Sequence, residues 1–222
     1  SKMAGQMMFG NRKFTVLPNV IRTEKYRYDS AARENVRRKM NTQDRFVIGS
    51  VGRLATEKNP FFAMDVFECL QKQVPNAEYW WVGSGPLEKS VQDYVNQKGL
   101  SENVRLLGSR NDVTDLYQGM DVFFLPSLFE GLPVTGVEAQ AMGLPIVVSD
   151  TVTKEMVYTD LVDYVSLKST KEIWAEHLIK VAEKKQNRSN YVDNLRKSVF
   201  SDIGCGNRLE GIYRRFLDDK NG

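Results

Sequence analysis

The chain has 222 residues, 41% hydrophobic and 27% charged, an ordinary balance for a soluble globular domain. Its net charge of +3 is too small to point to nucleic acid, and no apolar run is long enough to cross a bilayer. Two cysteines, Cys69 and Cys205, show neither metal nor redox spacing, which favours a reducing compartment.

The opening SKMAGQMMFG lacks the apolar centre of a cleavable leader and reads as a cut inside a longer protein. Lys2 to Phe9 reads as the end of a helix, and Phe14 to Leu17 as a short strand closed by Pro18-Asn19. A basic helix is expected around Ala31 to Met40. Its Arg33, Arg37, Arg38 and Lys39 cover several faces, as on a solvated surface or one touching acidic lipid. Phe46-Val47-Ile48 begins the first core strand. The loop Gly52 to Asn59 follows, and Pro60 suits the first turn of a helix to about Gln73. Arg53 and Lys58 therefore flank a strand-to-helix loop, the edge of a parallel sheet where ligands bind. Two cations there could neutralise a diphosphate; equally, Arg53 could pair with Glu57 or a helix end.

Ala77 to Val82 is the second strand. Trp80 and Trp81 must point to opposite faces. Gly83-Ser84-Gly85-Pro86 follows, but Glu88 stands where a dinucleotide fingerprint needs glycine, so a nicotinamide cofactor loses its main support. A helix from Pro86 to about Gln97 ends at Gly99. Val104 to Leu107 is the third strand, and the loop Gly108 to Asp112 leads to a short helix through Tyr117.

Asp121 to Asp150 reads as strand, loop, helix, strand. Val122 to Leu125 is an apolar run of the kind buried on both faces. Gly131, Leu132 and Pro133 open a helix that Gly143 stops, and Ile146 to Val148 is the next strand. The first amides of that helix lack internal partners and carry partial positive charge, which makes Gly131 to Thr135 an anion pocket. Glu130 precedes it. Glu138 lies eight steps on, a little over two turns, and so on nearly the same side. Carboxylates flanking an anion suit hydroxyls on either side of it, and a phosphate between two hydroxylated groups describes a sugar nucleotide. A plainer account, one dipole-favoured Glu and one solvated Glu, fits the spacing equally well.

Beyond Asp150, a turn at Thr153 to Val157 and a strand at Asp163 to Val165 are expected. Helices at Lys171 to Lys185, Asn190 to Val199 and Asn207 to Leu217 follow, with Gly204-Cys205-Gly206 as an interruption. His177 reads as a surface or packing residue. The cluster Lys180, Lys184, Lys185 and Arg188 reads as a solvated face. Strands alternating with helices imply an α/β chain with a parallel, doubly wound sheet.

The run PSLFEGLPVTGVEAQAMGLPIVVSD resembles the Glu-x7-Glu segment of retaining glycosyltransferases of the GT-B fold, family 4 or group 1 type. That fold pairs two Rossmann-like domains, and the resemblance extends over almost the whole chain as the C-terminal, donor-binding one. It implies a three-layer α/β/α unit at 21–200, a linker and domain start at 1–20, and a C-terminal helix at 201–222. It also implies transfer of a hexosyl group from a UDP-sugar to a glycan or lipid-linked acceptor, in cell-surface or exopolysaccharide synthesis. Glu130, Arg53 and Lys58 are then catalytic. Gly52, Gly83, Gly85, Arg110, Gly131, Leu132, Pro133, Thr135 and Glu138 join them in holding the donor, Arg110 through its amide more than its side chain. Glu130 would hold the sugar and Glu138 the ribose. The family often has glycine after the lysine; Asn59 is a departure.

No Asp-x-Asp pair lies in a strand-end loop, and Asp218-Asp219 is in the tail, so no metal and no cofactor are expected. The partners implied are the nucleotide-diphosphate sugar, the acceptor and an N-terminal domain of the same protein, without which this half would be inactive. The expected location is cytoplasmic, with peripheral contact at the inner membrane face as a second placement. An epimerase of the same fold and a non-catalytic sugar-nucleotide-binding module remain alternatives.

Overall fold

A computed structural model of the chain describes residues 2–184 and 187–221. After α1 (Lys2–Phe9) and α2 (Ser30–Lys39), strands and helices alternate: β1 (Phe46–Val51), α3 (Pro60–Gln73), β2 (Ala77–Val82), α4 (Glu88–Gln97), β3 (Val104–Leu106) and α5 (Val113–Gly119). The second half adds β4 (Val122–Leu125), α6 (Val134–Ala141), β5 (Ile146–Ser149), β6 (Val162–Val165), α7 (Lys171–Glu183), α8 (Tyr191–Lys197) and α9 (Cys205–Asn221). The strands form one sheet in the order β3-β2-β1-β4-β5-β6, every pair parallel. Strand growth runs outward from β1 to β3, then restarts on the other side of β1 with β4. β1 and β4 are thus neighbours whose following helices lie on opposite faces.

Alternation along the central strands builds two cores. Ile48, Tyr79, Trp81 and Phe124 pack under α3, α4 and α7 with Phe67, Val91 and Trp174. Val47, Trp80, Phe123 and Ile146 pack on the other face with Leu116 of α5, Val137 of α6 and Met142 just after it. The two tryptophans do point oppositely, and both are fully buried. Their indole N–H groups must find partners: Trp80 donates to Glu78 at 2.6 Å and Trp81 to the Gly52 carbonyl at 3.0 Å.

Four expectations are corrected. Phe14 to Leu17 is irregular and pairs with no strand among the described residues; the nearest ladder contact is an isolated bridge from Ile21 to Ser201. The α4 helix starts at Glu88, after a turn at Pro86-Leu87. The basic helix α2 is not simply a solvated face. Arg37 is buried and donates to the Gly119 carbonyl at 2.8 Å, and Arg188, from the cluster read as solvated, donates to the carbonyls of Tyr117, Met120 and Met142. Lys185 and the side chains of Asp218 and Asp219 lie outside the described residues.

Arg33 and Arg37 converge on one carboxylate, Asp121, which also accepts the Val47 amide at 2.8 Å. This ties α2 to the start of both central strands. Removing the part-buried carboxylate should leave two guanidinium groups with backbone carbonyls but without their counter-charge. Asp121→Ala is expected to cost about 2–4 kcal/mol in urea unfolding. Asp93→Ala, which breaks an exposed helix-surface pair with Lys89, should cost under about 0.5 kcal/mol. Similar losses for the two variants would remove Asp121 from this role.

Candidate functional site

The loops beyond the carboxyl ends of β1 and β4 meet where strand growth changes direction, the place where open α/β sheets form a ligand crevice. The β1 loop is shaped from beside it. The Gly52 amide donates to the Val82 carbonyl at 2.9 Å, and Leu54 donates to Ser84 at 3.2 Å. Gly83 sits at φ +129°, and a Cβ there would run into the Gly52 carbonyl oxygen; one on Gly85 would run into the Leu54 backbone. The Gly-x-Gly-Pro turn therefore presses directly on the loop that carries Arg53. Arg53 itself is exposed. Among the described residues it makes no ion pair, so the pairing with Glu57 does not form.

Past Arg53 the chain makes a 3-10 turn at Thr56–Lys58 and reaches Asn59 in the left-handed conformation, φ 56° and ψ 48°. Glycine fits this geometry, and asparagine tolerates it better than other side chains. Asn59 adds something glycine cannot: its side-chain amide donates to the Pro126 carbonyl at 3.2 Å, across the crevice at the end of β4. The Leu128 amide donates back to the Glu57 carbonyl at 2.8 Å. Lys58 completes the bridge with an ion pair to Glu130. The loops after β1 and β4 are thus stitched together at three points.

Glu130 is held from beneath as well. The buried Ser127 donates its hydroxyl to Glu130 Oε1 at 2.9 Å. Ser149 and Thr151, at the end of β5, both donate to the Ser127 carbonyl, at 2.5 and 2.9 Å. Lys58 and Ser127 meet the same oxygen, Oε1, so Oε2 has no protein donor among the described residues. The expected helix opening is also adjusted. Helix α6 begins at Val134 with Pro133 as its N-cap, while Gly131 and Leu132 precede it in the loop. Pro133 offers no capping side chain, so the amides of Val134 and Thr135 keep the unmet donor capacity of a helix start. Beside them the Thr135 hydroxyl is buried without a hydrogen-bond partner among the described residues. Buried polar groups are nearly always satisfied, and this one stands at a helix N-terminus suited to an anion.

Glu138, about one turn into α6, is largely buried. It accepts the Tyr26 hydroxyl on Oε1 at 2.5 Å and the Tyr117 hydroxyl on Oε2 at 2.9 Å. Burial raises its pKa above the usual carboxylate range, although both tyrosine bonds oppose the shift. The solvated-glutamate account does not hold for this residue. Arg110 lies apart, on the β3–α5 loop, where its guanidinium grips Asp112 at 2.8 and 2.6 Å. Its side chain is committed to the loop. His177 sits on α7 with Nδ1 2.6 Å from Asp163 of the edge strand, as a packing histidine would.

The pattern reading missed Ser127, Tyr26, Tyr117 and the bridging part of Asn59. Ser127 adjoins the Glu130 motif and could have been weighed. The tyrosines could not, because Tyr26 and Glu138 are 112 residues apart in sequence.

Residues 32–198 match the family described as glycosyl transferases group 1. The chain belongs to that family. Bacillus subtilis EpsF, which carries a glycosyltransferase name, is 32% identical over 208 residues, covering 90% of this chain and 53% of its own length. Staphylococcus aureus CapM, a capsular polysaccharide biosynthesis glycosyltransferase, is 28% identical over 222 residues, or 95% of this chain and 57% of its own. The chain thus spans about half the length of these relatives. Among solved structures, Anabaena HepE in complex with UDP and glucose superposes with a TM-score of 0.80 at 19% identity, over 96% of this chain and 61% of that one. The fold is therefore the Rossmann-like half of the GT-B architecture.

Asn59 gives a direct check on the crevice geometry. Asn59→Gly should cost under about 1.5 kcal/mol, since only a side-chain hydrogen bond is lost. Asn59→Val adds a β-branched residue in the left-handed region and should cost about 2–3 kcal/mol in urea unfolding. Equal costs would mean that the backbone conformation is not a constraint there.

Proposed function

We propose that this chain is the donor-binding half of a glycosyltransferase that moves a hexosyl group from a UDP-sugar to a glycan or lipid-linked acceptor, with retention, in cell-surface or exopolysaccharide synthesis. The observation that carries the reading is the convergence at one crevice of an unpaired Arg53, the Lys58–Glu130 pair and the start of α6 with its orphaned Thr135 hydroxyl. A group bearing a diphosphate between two hydroxylated parts fits that set of donors and acceptors. Relatives support it. HepE has been crystallised with UDP-glucose, and an Escherichia coli relative, 34% identical over 143 residues, is named a UDP-Gal:alpha-D-GlcNAc-diphosphoundecaprenol alpha-1,3-galactosyltransferase.

In this reading negative charge grows on the leaving diphosphate as the anomeric bond breaks. Arg53, the Lys58 donors left over from Glu130, and the amides of Val134 and Thr135 would meet it as preorganised charge and dipoles. Glu130 Oε2 would accept from the sugar hydroxyls, and Glu138 from the ribose. Two cations and a helix terminus can supply the charge that a divalent metal supplies elsewhere, so we infer binding without one. Among the described residues no group of three or more His, Cys, Asp or Glu could hold a metal ion. No helix among them is long and apolar enough to span a membrane. We place the protein on the cytoplasmic side, completed by an N-terminal half that carries the acceptor.

Calorimetry with UDP tests the charge assignment. Losing one charge-assisted contact should weaken binding by about 1.5–3 kcal/mol, so Arg53→Ala should bind roughly tenfold to a hundredfold less tightly. Excess chelator should leave the parent affinity unchanged. An Arg53→Ala protein that binds like the parent, or a chelator that abolishes binding, would overturn the respective part. Sugar transfer by the full-length protein separates a transferase from an epimerase or a binding module.

A further inference from the structure

Glu138 is gripped by two hydroxyls that come from unrelated parts of the chain, and the grip leaves a definite pattern of unused acceptor capacity. A carboxylate offers about four lone-pair sites, two on each oxygen. Tyr26 takes one on Oε1 and Tyr117 one on Oε2. One site remains on each oxygen. That is the pattern a vicinal diol needs, one hydroxyl to each oxygen. Lysine or arginine in place of the tyrosines would cancel the carboxylate's charge. Tyrosine does not, because burial and the neighbouring carboxylate push the pKa of Tyr26 and Tyr117 still higher and keep both protonated.

Neither ring is free to drift. Tyr117 is fully buried in α5, in contact with Phe123 of β4 at 5.7 Å between ring centroids. Tyr26 ends a 3-10 turn, Thr23–Tyr26, whose first residue is fully buried. The Thr23 amide and hydroxyl both donate to Asp202, at 3.0 and 2.8 Å, and its hydroxyl meets Ser201 at 2.9 Å. The Ile21 amide donates to the Phe200 carbonyl at 2.8 Å. The segment after α8 therefore anchors the turn that aims Tyr26. The Tyr26 ring packs against the core beside α6, and its hydroxyl is given to the Glu138 carboxylate.

We infer that Tyr26 and Tyr117 are positioning residues that fix Glu138 to read a ribose diol, making the site selective for ribonucleotides over 2′-deoxyribonucleotides. The inference rests on the proposed nucleotide reading, in which Glu138 faces the ribose. Tyr26→Phe removes one hydroxyl and keeps the ring, so the fold should persist, as circular dichroism and the melting temperature would check. Tyr117→Phe, in the core, serves as the second variant.

The test is calorimetric binding of UDP, ADP and GDP and of their 2′-deoxy forms to the parent, Glu138→Ala, Tyr26→Phe and Tyr117→Phe. The parent should prefer the ribonucleotide it binds best over its deoxy form by about tenfold, the worth of one hydrogen bond to a charged group. Glu138→Ala should erase that preference. Tyr26→Phe should cut the preference to within about twofold while deoxynucleotide affinity stays nearly unchanged, and Tyr117→Phe should act in the same direction. A preference that survives in Tyr26→Phe but vanishes in Glu138→Ala overturns the positioning role and leaves the ribose reading intact. An equal loss for both ligand forms in Tyr26→Phe also overturns it, as general loosening. A preference that survives Glu138→Ala, or no binding of any of the three ribonucleotides, overturns the ribose reading and the inference with it.

Discussion

The reversal of strand growth between β1 and β4 is the constraint on which the rest of the structure depends. Parallel neighbours cannot be joined by a short turn, so each needs a crossover, and here those crossovers pass on opposite faces. The two carboxyl-end loops are left facing each other with no helix between them. A gap of this kind must be filled by side chains or by a ligand. In this chain charged side chains meet across it, Lys58 from one loop and Glu130 from the other, with the exposed Arg53 on the same loop as Lys58.

The loops that hold those groups are not left loose. Their support comes from small hydroxyls and from glycines. Ser149 and Thr151 fix the Ser127 carbonyl, and Ser127 fixes Glu130. The Gly83 and Gly85 turn packs directly on the β1 loop. A charged group aimed by buried, satisfied contacts loses little freedom when a ligand arrives, which is the physical meaning of a preorganised site. The same logic extends to Glu138, where two tyrosines replace the serine.

Much of this was legible in the sequence because it is local. Apolar runs located β1, β2 and β4, Pro60 marked the start of α3, and the spacing of Glu130 and Glu138 placed both near one helix entrance. What could not be read was set by contacts distant in sequence. Arg33 and Arg37 look like surface charges in a basic helix until Asp121 meets them from 88 and 84 residues away. Phe14 to Leu17 has strand-like residues, yet it joins neither edge of the sheet. Asn59 looked like a departure from glycine; its left-handed backbone shows why both residues fit, and its bond to Pro126 shows what asparagine adds. The Lys58–Glu130 pair lay between two residues already singled out, yet nothing in their separate motifs said they would meet.

The central claim is that two carboxylates read opposite ends of one ligand across a shared anion site. Measuring both Glu130→Ala and Glu138→Ala against both UDP and UDP-glucose, by calorimetry, tests it most directly. The account predicts that Glu138→Ala weakens both ligands by similar factors, since both carry ribose. It predicts that Glu130→Ala weakens mainly UDP-glucose, by about 1–3 kcal/mol, because UDP ends before that carboxylate. Equal loss of both ligands in Glu130→Ala, or no loss in Glu138→Ala, would contradict it.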